Sequence, residues 1–90
     1  MSDVHNNTAA NRFELDAGEH TAFAYYTMAP GVITFTHTEV PQALSGEGVG
    51  SRLVRGSLEA TRALGLPVVA KCPFVSAYLS KHPEFNDLLR

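Results

Sequence analysis

Residues 31–50 read GVITFTHTEV PQALSGEGVG, and the way this stretch divides decides the fold. Its first half, Gly31–Val40, is dense in β-branched residues and predicts a strand. Pro41 to Glu47 reads as loop. From Gly48 to Leu64 the pattern changes to a helical period. Arg52, Arg55, Glu59 and Arg62 recur at steps of three, four and three, which predicts a solvated charged stripe. Val49, Leu53, Ala60 and Leu64 fall on another face, and small Gly56 and Ser57 let that helix approach a sheet closely. Gly65 stands where a helix ends in a left-handed residue.

Working outward, Pro67 to Cys72 (PVVAKC) reads as a short buried strand. Strand, helix and strand then make a βαβ unit with parallel strands and a right-handed crossover. Pro73 ends the second strand, Phe74 to Lys81 is a short helix, and Pro83 starts a last turn over Glu84 to Leu89. Upstream, Arg12 to Asp16 alternates polar and apolar residues, Ala17-Gly18-Glu19 is a turn, and His20 to Ala29 is an aromatic, Thr-containing strand broken by Pro30-Gly31. The expected architecture is a mixed α/β (α+β) domain over residues 12–90. A three-stranded antiparallel meander precedes the βαβ unit and short C-terminal helices. Residues 1–11, polar and without a period, read as a flexible tail. With Ala29 opposite Val32, Phe35 faces Tyr26 and His37 faces Ala24. Plain alternation then puts Ile33, Phe35, His37 and Glu39 on one face of their strand.

Ninety residues make one domain with one modest core. Apolar residues are 44% and charged residues 18%, a globular balance that excludes wholesale disorder. The net charge of −2 and the lack of a Lys/Arg cluster argue against nucleic acid as a partner. No run approaches the length of a membrane span, and the first residues carry no apolar leader. Cys72 is the single cysteine, so no internal disulfide forms, and a reducing, cytoplasmic setting is expected. His5 and His20 have no companion at ligand spacing, so no metal site is expected.

Gly46-Glu47-Gly48-Val49-Gly50 follows a strand and opens a helix. Glycines let an oxygen ligand approach backbone N–H groups, and a helix start offers unpaired donors with a partial positive charge. Phosphate binding is the expected use. The dinucleotide fingerprint fails, because it requires a third glycine where Ser51 stands and an acidic residue where Lys71-Cys72 stand. The P-loop fails for want of Gly-Lys-Ser/Thr. A lone cysteine at a strand end, Cys72, is either a small buried thiol or a nucleophile. His37 is either a satisfied strand histidine or a base for an amine.

The remaining pattern resembles the GNAT superfamily of acetyl-CoA-dependent N-acetyltransferases. Four blocks carry the likeness: His37-Thr38-Glu39-Val40-Pro41, the Gly46–Gly50 turn, Cys72-Pro73-Phe74-Val75, and Tyr78 with His82-Pro83-Glu84-Phe85. Their order and spacing are similar to the small, stand-alone YjdJ-type branch, over roughly residues 12–90. The resemblance implies acetyl-CoA, or coenzyme A, held by Val40, Ser45, Gly46, Glu47, Gly48, Val49, Gly50 and Ser51. Arg52, close to the helix start, is a further candidate phosphate contact. Ser45 stands where the superfamily often has Gln or Arg, and the Asn that often follows the fifth strand is absent. The resemblance also implies that Tyr78 protonates the coenzyme thiolate, against its other reading as an aromatic packed beside Leu79 and Phe74, and that the fold lacks the helices that usually precede the meander. The acceptor is then a small-molecule amine or a protein amine, attacked directly, with the chain a monomer or weak homodimer. The alternative is a coenzyme A-binding or protein-interaction module with little catalysis.

Overall fold

The computed structural model describes residues 3–44 and 46–89. Four consecutive strands pair antiparallel: β1 (Val4–Asn7), β2 (Arg12–Ala17), β3 (His20–Ala29) and β4 (Val32–Glu39). A fifth, β5 (Val68–Ala70), runs parallel to β4 and completes a sheet of order β1-β2-β3-β4-β5. Helix α1 (Val49–Ala63) connects β4 to β5, and α2 (Pro73–Lys81) follows β5. Short 3-10 turns cover Thr8–Ala10, Gln42–Leu44 and Pro83–Leu88. The mixed α/β architecture and the βαβ unit are those the sequence predicts.

One core holds the domain together. The sheet supplies Phe13, Leu15, Ala22, Ala24, Tyr26, Ile33 and Phe35. Leu53, Val54 and Leu58 enter from α1, and Val75 and Leu79 from α2. Gly56 and Ser57 are buried, so α1 lies close to the sheet where its side chains are smallest. The Ser57 hydroxyl donates to Leu53 O at 2.7 Å and Thr61 to Ser57 O at 2.8 Å, which satisfies both buried hydroxyls within the helix. Gly65, with φ of 73°, closes α1 as expected: its amide donates to Arg62 O, and that of Leu66 to Thr61 O. Leu64, expected on the apolar face, is 55% exposed.

Two sequence expectations need correcting. Residues 4–7 are an edge strand rather than part of a tail, so the meander has four strands, not three. The strand escapes a hydrophobic reading because its partners are polar. The Tyr26 hydroxyl donates to Asn6 Oδ1 at 2.6 Å, and Asn7 Nδ2 donates to Glu14 at 2.9 Å. The charged stripe on α1 is also more than a solvated face. Arg62 donates to Asp87 at 2.6 Å and to Glu84 O at 2.8 Å, and Arg55 lies 3.6 Å from Glu84. The guanidinium groups of Arg55 and Arg62 lie over the Phe85 ring, at 5.7 and 5.0 Å from its centroid respectively. The stripe thereby fastens the C-terminal 3-10 turn onto α1.

On the sheet face away from the core, Glu14 accepts from Arg12 Nε at 2.7 Å and from Asn7, and lies 3.2 Å from His5. Asn7 first and Arg12 second hold its carboxyl below the ordinary value. A carboxyl whose folded value is depressed stabilises the fold above its unfolded value, and that contribution disappears as pH falls through the folded one. Glu14→Gln should therefore lower the melting temperature at neutral pH by roughly 3–6 °C. In thermal melts taken toward acid, the gap to wild type should close below about pH 4.

Candidate functional site

β4 and β5 separate after Phe35. Their ladder runs Ile33↔Val68, Thr34↔Val69 and Phe35↔Ala70. The amides of Lys71 and Cys72 then both donate to Phe35 O at 3.0 Å. Past this point β4 continues to Glu39 beside β3, while the chain turns at Cys72 into α2, with Pro73 in the first helical turn.

A bulge lies at the same level. Pairing between β3 and β4 steps from Tyr26↔Phe35 to Tyr25↔His37, so Thr36 is the inserted residue. This overturns the plain alternation: His37 faces Tyr25 instead of Ala24, and His37 and Glu39 leave the face of Phe35. The His37 ring stacks on Tyr25, centroids 5.9 Å apart, on the outer face. Thr38 takes the inner position, pairs with buried Ala24, and places its hydroxyl 3.2 Å from Cys72 Sγ across the split.

The glycine turn begins where β4 ends. Leu44 N donates to Pro41 O and Glu47 N to Leu44 O. Gly46 and Gly48 have φ of 84° and 73°, so both need the left-handed region that glycine enters without strain. Gly48 caps α1, and the first α-helical bond is Arg52 N to Gly48 O at 3.1 Å. The amides of Val49, Gly50 and Ser51 therefore lie in the turn that has no intrahelical acceptors. No acidic side chain stands in that turn.

These amides border a crevice of about 450 Å³, lined by Val40, Pro41, Gln42, Leu44, Gly46, Gly48, Val49, Gly50, Ser51 and Phe74. Gly50 has a separate reason to be glycine. A Cβ there would lie 2.6 Å from Phe74 Cζ, so the ring of Phe74 rests directly on the helix start. Phe74 itself is 42% exposed. Its other side borders a second hollow with Ser51, Tyr78, Lys81 and His82. Tyr78 stacks on His82, centroids 3.9 Å apart, and its hydroxyl, ahead of Glu59 and Glu84, raises the Arg55 guanidinium above its ordinary value.

Of the residues predicted from sequence, the crevice brings together Val40, Gly46, Gly48, Val49, Gly50 and Ser51. Glu47 is exposed and outside the lining. Ser45 lies outside the described residues. Arg52 turns away, 3.5 Å from Asp3. Cys72 is buried at the split, Tyr78 is in the adjoining hollow, and His37 is on the outer face. Sequence reasoning missed Phe74 as a wall of the crevice. The available signal was Gly50, a glycine in a first helical turn that needs no positive φ and so marks a close approach. Among the described residues no cluster of His, Cys, Asp or Glu is placed to hold a metal ion. Among those residues no helix is long and apolar enough to cross a membrane.

The fold is that of a known class. It matches the NMR solution structure of a GCN5-like protein from Staphylococcus aureus with a TM-score of 0.73 and 28% sequence identity, over 100% of this chain and 91% of that one. The family model for GCN5-related N-acetyltransferases matches residues 12–88, and the chain belongs to that family; it is an acyltransferase. None of the curated proteins is a significant match.

Two glycines should respond differently to alanine. Gly48→Ala has open space but positive φ, and should lower stability by about 1 kcal/mol in urea unfolding. Gly50→Ala meets the far end of a half-exposed ring, so the ring should swing off instead. Stability should stay within about 1 kcal/mol of wild type, while the ring-current shift on residue 50 in the proton NMR spectrum is lost.

Proposed function

We propose that the chain is an acetyl-CoA-dependent N-acetyltransferase that passes the acetyl group directly to an amine. One observation carries this reading. The amides of Val49, Gly50 and Ser51, in the first turn of α1, open into a crevice at the end of β4 that β5 has left. Three backbone donors at a positive helix end suit a pyrophosphate, and Gly46 and Gly48 leave no side chain in the way. The part of β4 beyond Phe35 has a strand partner on the β3 side alone. Its free side offers backbone groups to the coenzyme's amide-bearing arm. When bound, acetyl-CoA supplies an acyl group on a good thiolate leaving group.

The chain's residues divide the remaining work. Tyr78, held by its stack on His82, gives its phenolic proton to the departing thiolate once the Phe74 ring stands aside, and the proton of the attacking amine passes to a base on the other side, for which His37 is the candidate. Cys72 serves packing rather than covalent catalysis. Its sulfur is buried, and its side-chain polar partner among the described residues is the Thr38 hydroxyl, not a base. Arg52 is paired with Asp3 between exposed side chains, a contact weak enough to release toward a phosphate.

Isothermal titration with acetyl-CoA tests the reading. Saturable heat is expected, and none at about 1 mM coenzyme would sink it. Tyr78→Phe should lower kcat roughly 100-fold with little change in KM for acetyl-CoA. Cys72→Ala should retain kcat within about tenfold, whereas an acetyl-cysteine route demands its complete loss.

A further inference from the structure

The crevice has a neighbour on the opposite side of Val40-Pro41. This hollow, of about 220 Å³, is walled by Thr21, Phe23 and Glu39, and it shares Val40 and Pro41 with the crevice. We infer that it is the acceptor site and that it selects an alkyl amine carrying a positive charge, with the Glu39 carboxylate as the anchor. The inference rests on the proposed acetyl transfer and names the substrate class for that site.

The charges around the hollow are unbalanced. Among the described residues Glu39 has no ion pair, although it is exposed and lies directly across from Phe23. On that row Glu14, across Phe23 on β2, is paired with Arg12, whereas Asp16 on the next row accepts from Thr21 at 2.8 Å and among the described residues has no cationic partner. The cation on this face, Arg12, is already committed: its Nε is 2.7 Å from Glu14, and its guanidinium carbon lies 4.1 Å above the Phe23 ring. The hollow therefore has one uncompensated carboxylate, Glu39, in its lining beside the Phe23 ring, and a second, Asp16, bonded to its Thr21 wall. That combination attracts an ammonium group with a methylene stem and repels an anion.

The placement comes from the bulge. Without Thr36 as an extra residue, Glu39 would face the core side with Phe35. With it, Glu39 stands on the outer face, two residues from His37 and beside the β4 segment that runs past the split. Coenzyme and acceptor are then kept to separate recesses that meet along Val40-Pro41. The acceptor wall is thus built from β3 and β4 of the meander itself.

Amide-detected NMR titration of the full chain with 1,4-diaminobutane at neutral pH tests this, with 1,4-butanediol as the uncharged counterpart. Saturable shifts confined to Thr21, Phe23, Glu39 and their neighbours are expected for the diamine and not for the diol. Glu39→Gln should weaken the diamine about tenfold, and Glu39→Asp should recover part of the loss. Equal response to diol and diamine, no saturable shift at these residues, or unchanged affinity in Glu39→Gln would each overturn the inference. A separate acetyl-CoA titration keeps the two readings apart. Coenzyme binding with no diamine site defeats this inference alone, and diamine binding without coenzyme binding defeats the transfer reading.

Discussion

The site depends on two irregularities of β4 that fall at one level, the loss of β5 after Phe35 and the insertion of Thr36 against Tyr25. Either alone would have a smaller effect. A split without the bulge would open a gap but leave His37 on the core side and Thr38 outside. A bulge without the split would reorient side chains along a fully paired strand. Together they put Thr38 inside, against Cys72, send His37 and Glu39 outside, and leave a strand edge free between them. Bulges bend and re-aim strands at modest cost, because a single unpaired residue is exposed to solvent here.

Holding the rest in place is a packing problem that a small domain solves tightly. The start of α1 is fixed from three directions: by the left-handed Gly46 and Gly48, by the Phe74 ring on Gly50, and by Val49 and Leu53 in the core. Its far end is fixed by Arg55 and Arg62, which grip the last 3-10 turn and cover Phe85. Exposed ion pairs of this kind contribute little singly, so their stems and the buried Phe85 ring matter more than the charges. The result is a helix whose amide end cannot drift from the crevice without unpacking the core.

Much of this was legible in the residues. Periods gave β2 and α1, β-branched and aromatic composition gave β3 to β5, Pro73 marked the start of α2, and the failed dinucleotide and P-loop matches narrowed the use of the glycine turn. Three things were not legible, each for a physical reason. β1 is polar because its inward Asn6 is satisfied by a tyrosine hydroxyl rather than by apolar contact. The bulge is silent because Thr36 sits between Thr34 and Thr38, and threonine suits a pleat and a bulge equally. Arg52 looked like a phosphate ligand from its place at the helix start, but its partner Asp3 lies 49 residues away in sequence, beyond any local pattern.

His37 shows how a misplaced residue can clarify the site. Read by alternation, it belonged with Phe35, a poor place for a titrating side chain. On the outer face it is exposed and stacked on Tyr25, next to the strand edge and two residues from Glu39. Under the proposed transfer a base must meet the amine and not the coenzyme's diphosphate, and the outer face is the side that allows an imidazole to do so. The same reversal that removes His37 from the core thus gives the site two unlike sides: the backbone donors at the start of α1 lie on one side of Val40-Pro41, and Glu39, with His37 two residues before it, lies on the other.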